Sequence, residues 1–346
     1  MEFVEVDGSQ GEGGGQIIRS AVAFAAIMRK PVRVVNVRAG RGVPGLKRQH
    51  ISALRVLSRV FGGEMSGATE GSSTVTFVPG TPRETTISVD MGTAASITLV
   101  LQAVIPAVAM TRTRISLDLV GGTDVPWSPT LDYFQRVVRG AFAMCGVRFD
   151  LTSERRGYYP VGGGRVSAVI EPSDNLIPVN LVERQTVAGA MLMSRCGNLP
   201  RHVAERQVAS AAEVLEDSGM RVLETKISDE LSDSPGSSLL AYFTGKGVFL
   251  GSDSIGAKGK PAEDVGREAA KRFVATAKSG SSLDSNLADM LLPLLSLAQG
   301  PSRVRVPEVT NHLRSGLDLA EQFTSCTWSV KEADGSALVE IEPHPG

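Results

Sequence analysis

The sequence predicts an α/β protein, strictly α+β-like, in which three copies of a βαβαββ unit form one large domain and a smaller α/β domain is inserted. Two observations predict this. The stretches 32–80, 113–172 and 302–343 each repeat the order strand, polar loop, helix, strand, turn, strand. Between the second and third copies the pattern breaks, and about 180–279 carries elements of its own. The expected domains are therefore 1–179 with 280–346, and 180–279.

The elements follow in order. Residues 32–37, 115–120 and 304–306 are rich in β-branched side chains and read as strands. Helical spacing comes next in each copy: Leu54, Leu57 and Phe61, then Tyr133, Phe134, Val137 and Val138, then Leu317, Leu319, Ala320 and Phe323. Another helix precedes each copy, at 16–28, 94–110 and 283–297. The inserted stretch reads as an amphipathic helix HVAERQVASAAEVLEDSG and strands RVLETKI, SLLAYFT and GVFLGSD. A last helix starts at Pro261 and stops at Gly280.

Composition narrows the function classes. Of 346 residues, 42% are apolar and 21% charged, as in globular proteins, and no apolar run is long enough to span a bilayer. The start MEFVEVDGSQGEGGG lacks the basic and apolar blocks of a signal peptide. Cys145, Cys196 and Cys326 are far apart and odd in number, which points to a reducing cytoplasm rather than a disulfide framework. A net charge of −1 argues against nonspecific coating of duplex nucleic acid, so any nucleic-acid contact should be local, such as one strand end in a basic pocket.

Candidate chemistry sits in a few polar segments. GSQGEGGGQIIRSA is glycine-rich and runs into a helix, which lets backbone N–H groups approach a phosphate; Glu12 within it is a hard donor for a divalent cation. NVRAGRGVPGLKRQH gathers Arg38, Arg41, Lys47 and Arg48, suited to phosphate or simply to solvent. Gln102 is a lone polar group in an apolar helix and needs a partner, protein or ligand. Of the four histidines, His344 is expected in solvent, His202 at a helix start and His50 in a partly buried structural role. His312 lies at a loop-to-helix junction in VTNHLRSG. Pattern alone leaves two readings: a phosphate contact at a helix N-terminus, or a bystander behind a Thr310 or Asn311 cap.

The segment RRGYYPVGGGRV, with Arg156, Gly157, Pro160, Gly162, Gly163, Gly164 and Val166, resembles the fingerprint of the RNA 3′-terminal phosphate cyclases. DGSQGEGGGQIIRSA, RAGRGVPGLKRQH, GTAASITLVLQA, GGTDVPWSP, HVAERQ, KGKPAEDVG and LADMLLP resemble further segments of that family, in its order, across the whole chain. The resemblance implies that His312 is a nucleophile that takes AMP from ATP. AMP would then pass to an RNA 3′-phosphate, and the neighbouring 2′-OH would close a 2′,3′-cyclic phosphate. It also implies a divalent cation, Mg²⁺ or Mn²⁺, near Glu12, and phosphate or RNA-end contacts from Arg19, Arg38, Arg41 and Gln49. Gln102, Pro129, Asn286, Leu287, Ala288, Asp289 and Met290 would bind ATP.

The chain departs from the family pattern in two places. Ser315-Gly316 replaces Thr-Asn, and Asn286 and Met290 replace an imidazole or phenol and a glutamine, which widens the nucleotide choice to GTP and others. Non-catalytic, cyclase-like ribosome-assembly proteins are the alternative, and those relatives lack the nucleophilic histidine. Enolpyruvyl transferases share a βαβαββ repeat but do not require the insert or RRGYYPVGGGRV. DNA ends would be a side substrate.

Overall fold

The computed structural model describes residues 2–11, 13–81, 84–333 and 335–344. The chain begins with β1 (Val4–Asp7), α1 (Gly15–Met28), β2 (Val32–Val35), α2 (Arg48–Phe61), β3 (Glu64–Ser66) and β4 (Val75–Val78). Next come β5 (Thr86–Asp90), α3 (Ile97–Ala109) and β6 (Ile115–Gly121). A helix then starts as α4 (Leu131–Tyr133), widens to π geometry over Phe134–Val138 and resumes as α5 (Arg139–Met144). β7 (Phe149–Arg155), β8 (Gly164–Ile170) and β9 (Asn180–Leu181) follow. The stretch after that holds β10 (Gly189–Gly197), α6 (His202–Asp217), β11 (Arg221–Glu230), β12 (Gly236–Gly245), β13 (Val248–Ile255) and α7 (Ala262–Lys278). The chain closes with α8 (Ser285–Leu291), a 3₁₀ turn at Pro293–Leu297, β14 (Ser302–Val306), α9 (Asn311–Thr324), β15 (Thr327–Ala333) and β16 (Ser336–Glu342).

The class is mixed α/β, with four four-stranded sheets among the described residues. Their orders are β1-β2-β4-β3, β5-β6-β8-β7, β9-β14-β16-β15 and β11-β10-β12-β13. In each of the first three, the first-named pair is parallel and the other two are antiparallel. Burial alternates along these strands, so each sheet turns one face to helices. Ile115, Leu117 and Leu119 are buried while Asp118 between them is exposed. The helices and inner faces share one apolar core, within which Phe24 of α1 stacks on Phe323 of α9 at 5.8 Å.

The fourth sheet has its own core with α6 and α7, including Leu192, Leu215, Leu250 and Phe273. Its other face adds Met193, Leu240 and Tyr242 to the main core. Contact there is close: a Cβ on Gly251 of β13 would lie 2.7 Å from the Tyr133 ring, so only glycine fits. A buried ion network crosses the same junction. Arg156, 1% exposed, donates to Asp124 at 3.1 Å and Asp132 at 2.8 Å. Asp132 also accepts from Arg195 at 2.6 Å, and Arg195 pairs with Glu230. Burial works against the Arg156 charge, but Asp132 and Asp124 outweigh it and hold its pKa above the ordinary range.

Several boundaries differ from expectation for physical reasons. α3 starts at Ile97 because the Ser96 hydroxyl accepts the Leu99 N–H at 3.2 Å and caps it. The expected 283–297 helix breaks after Leu291, where Pro293 has no N–H to donate. All three cysteines are buried and unbridged, and no described helix is long and apolar enough to cross a membrane.

Candidate active site

A cleft of ≈ 510 Å³ opens where α1, α2, α3, α8 and α9 bring their ends or faces together. Pockets that hold small molecules run to about 300–1,000 Å³, so this one is large enough for a nucleotide. The helix starts define one wall. α1 begins at Gly14 and Gly15, both lining the cleft, with no side-chain cap among the described residues. A Cβ on Gly15 would lie 2.2 Å from His50 Nε2, so glycine is required for α1 to approach α2. The second residue of α9 is His312, whose side chain also lines the cleft. Two helix N-termini thus bring backbone N–H groups and positive dipole ends to one space.

The structure identifies the cap at the start of α9. Thr310 is the cap: its hydroxyl accepts the Leu313 N–H at 2.9 Å and donates to Asp289 at 2.5 Å. His312 nevertheless reaches the cleft, and its carbonyl accepts from Gln16 at 3.4 Å.

Positive charge dominates the adjoining wall. Arg19, one turn into α1, is 7% exposed, and its Nε is buried without a hydrogen-bond partner. Burial lowers its pKa to about 10, so it stays cationic at neutral pH. Arg38 lies in the loop between β2 and α2 with φ +55° and donates to the carbonyls of Val43 and Gly45 at 2.8 and 2.9 Å. Arg41 and Gln49 line the same wall. No carboxylate pairs with Arg19 or Arg38 among the described residues, and a buried uncompensated cation favours an anionic ligand.

His50 belongs to this wall as well, although sequence reasoning gave it only a structural role. It is 2% exposed, and its Nδ1 accepts the Lys47 N–H at 3.1 Å. Burial, then the charges of Arg19, Arg38 and Lys47, push its pKa down to about 3. It is therefore neutral at pH 7, with the proton on Nε2, which lies beside the Gln49 side-chain amide. Unfolding returns this ring to an ordinary pKa of about 6.5. The unfolded chain then binds the proton that the folded chain refuses, so stability falls as pH drops from 6.5 toward 3, by at most about 1.4 kcal/mol per pH unit. His50→Asn keeps an acceptor for Lys47 and should flatten that slope in urea titrations at pH 7 and pH 5. Equal slopes for parent and variant would contradict this.

The other side of the cleft is less polar. On α3, Leu99 and Gln102 share a face, and the Gln102 amide has no protein hydrogen bond among the described residues. The Pro129 carbonyl accepts from Thr98 at 2.7 Å, which fixes Pro129 in the wall. α8 offers Asn286, Asp289 and Met290, spaced i, i+3 and i+4. Leu287 and Ala288, also expected at the site, fall on the opposite face and are buried in the core. Asp284 caps α8, accepting from Leu287 N–H at 3.0 Å, Tyr133 O–H at 2.7 Å and Gly251 N–H at 2.9 Å. Burial raises its pKa to about 6 against those bonds. Glu12 lies outside the described residues. Trp127, Leu99, Gly14, Gly15 and Gln16 line the cleft without having been singled out as site residues.

The cleft therefore joins two imidazoles, three arginines, two helix starts and a mixed apolar-amide wall. Comparison with known proteins identifies the family. A family model described as RNA 3′-terminal phosphate cyclase matches residues 10–330. The RNA 3′-terminal phosphate cyclase of Hyperthermus butylicus is 42% identical over 328 residues, 93% of this chain and 91% of that protein. Its counterpart in Thermococcus kodakarensis is 41% identical, covering 96% and 95%. That of Caldivirga maquilingensis is 38% identical, covering 99% and 98%. The chain belongs to the RNA 3′-terminal phosphate cyclase family.

Proposed function

We propose that this chain is an RNA-processing enzyme of the ligase class that uses ATP to convert an RNA 3′-phosphate into a 2′,3′-cyclic phosphate. One observation carries the reading: His312 shares a single cleft with Arg19, Arg38 and Arg41. An imidazole nitrogen attacks the α-phosphorus of ATP, pyrophosphate leaves and a histidyl-AMP forms. The RNA 3′-phosphate oxygen then attacks the same phosphorus and releases the histidine. Finally the 2′-OH attacks the activated 3′-phosphorus, its proton is lost, and AMP departs. No protein base is needed for that last step, because the 2′-OH is already beside the phosphorus.

The arginines act on the charge that develops on departing pyrophosphate and on the RNA phosphate. Arg19 and Arg38 are held by burial and backbone contacts, so they need little reorganisation at the moment of reaction. Gln102, Pro129, Asn286, Asp289 and Met290 are the proposed nucleoside side. Glu12 is the proposed carboxylate for Mg²⁺ or Mn²⁺, and Asp289 brings a second hard oxygen donor to the cleft. When bound with the nucleotide, such a cation withdraws charge from phosphate oxygens.

The proposed architecture is three βαβαββ copies in one catalytic domain, 1–179 with 280–346, interrupted by an inserted module at 180–279. The shared pairing order of three sheets supports it. β9, at residues 180–181, pairs with β14, so the third copy would start just inside the boundary read from the sequence.

Arg41→Ala is expected to slow cyclisation by about 10²–10³-fold with an unchanged thermal melt. The assay follows a 3′-phosphorylated RNA that becomes resistant to phosphatase only when ATP and a divalent cation are present. RNA that stays phosphatase-sensitive with the parent protein contradicts the function.

A further inference from the structure

One part of the cleft has no role in phosphate chemistry. Trp127 lines it yet is 97% exposed. Its neighbours are held firmly: Val125 is buried, Ser128 Oγ donates to the Val125 carbonyl at 2.9 Å, and the Thr130 N–H donates to Asp253 at 2.6 Å. Together with the Thr98 bond to Pro129, these contacts fix both flanks of a residue whose own side chain packs against nothing. Tryptophan offers more apolar area for burial than any other side chain, so an indole left in water on a fixed support forgoes a large gain. Among the described lining residues it is the one indole or phenyl ring; the other apolar ones are Leu99, Pro129 and Met290.

We propose that Trp127 is a stacking platform for a nucleobase at the mouth of the cleft. The inference rests on the cleft being a nucleotide and RNA-end site, and adds what holds the base. An aromatic face beside a phosphate-binding wall suits any base, because every base has a π-face. Two ligands carry this chemistry, the nucleotide and the 3′-terminal residue of the RNA.

The test uses fluorescence. Trp328 is the second of the chain's two tryptophans, so Trp328→Phe leaves Trp127 as the sole indole emitter. This variant is titrated separately with AMP, with a 3′-phosphorylated oligoribonucleotide, with the same oligonucleotide abasic at its 3′ end, and with pyrophosphate. Quenching is expected with AMP, the intact oligonucleotide or both, and not with pyrophosphate or the abasic strand. Quenching by AMP alone identifies the nucleotide base, and by the oligonucleotide alone the RNA base. Trp127→Ala should raise Kd for the quenching ligand by about 5- to 150-fold, with Trp127→Phe restoring most of it. Trp127 has φ +68°, so Trp127→Asn, which tolerates that backbone, checks that any loss comes from the ring. Pyrophosphate affinity, read by calorimetry, should not change in any of the three. If pyrophosphate binds but no base-bearing ligand quenches Trp127, the platform is refuted and the phosphate cleft stands. If pyrophosphate does not bind the parent protein, the cleft reading falls and the platform with it.

Discussion

His312→Ala is expected to abolish cyclisation of RNA 3′-phosphates, by at least about 10⁴-fold, while the protein melts as the parent does. The two halves of this expectation have separate causes. In the proposed reaction activity is lost because His312 would form the covalent bond through which AMP passes, and His50 would not replace it: His50 is committed to Lys47 through Nδ1 and holds its proton on Nε2. Stability is expected to hold because two described contacts at the α9 start are made without the imidazole. Thr310 supplies the cap, and the His312 contact to Gln16 is made by its main-chain carbonyl. His312→Asn should behave the same way. A steady-state rate for either variant near that of the parent sinks the assignment, and a collapsed melting curve would mean that the imidazole is structural.

Arg156→Ala is expected to have the opposite profile. This arginine leads the RRGYYPVGGGRV fingerprint, but it is buried between Asp124 and Asp132, away from the cleft. Its removal takes one cationic partner from each of two buried carboxylates. Asp132 keeps Arg195, and Asp124 keeps the hydroxyls of Thr123 at 2.6 Å and Ser238 at 3.2 Å, so the network is weakened rather than emptied. Breaking a buried pair from one side costs about 3–5 kcal/mol. At an unfolding entropy of about 2.1 cal/mol/K per residue, 1 kcal/mol moves the melt of a 346-residue chain by about 1.4 °C, so the melting temperature should fall by about 4–7 °C. Activity per folded molecule, measured well below the melt, should stay within a few-fold. A variant that melts like the parent yet is inactive would move Arg156 into the chemistry.

Arg156 also shows what could and could not be read from the chain. The β-branched runs and helical spacings found most interior strands and helices, because burial of one face imposes those periods. Strands β1, β5 and β9 escaped notice because they are short edge strands, down to two residues in β9. β10 escaped for another reason. It lies inside its sheet and packs on both faces, so GAMLMSRCG shows no alternation. At the site, Arg19, Arg38 and Arg41 were legible as basic groups in glycine-rich segments, whereas pattern left His312 open and only the family resemblance singled it out. Leu287 and Ala288 were carried along with their segment, although helical geometry turns them from the face shared by Asn286, Asp289 and Met290. His50 looked structural because its helix is amphipathic. Its first-turn position, two residues beyond a basic loop, was the available signal. The three glycines at 162–164 serve architecture rather than catalysis: Gly162 and Gly163 have φ near +75° and +70°, and a Cβ on Gly164 would meet the Gly157 nitrogen at 2.6 Å.

The most direct measurement is the mass of the intact protein after incubation with ATP and a divalent cation, followed by peptide mapping. One added AMP is predicted, on the peptide that contains His312, absent without ATP and absent in His312→Asn. No adduct on the parent protein, an adduct on a different residue, or one that survives in His312→Asn would contradict the account.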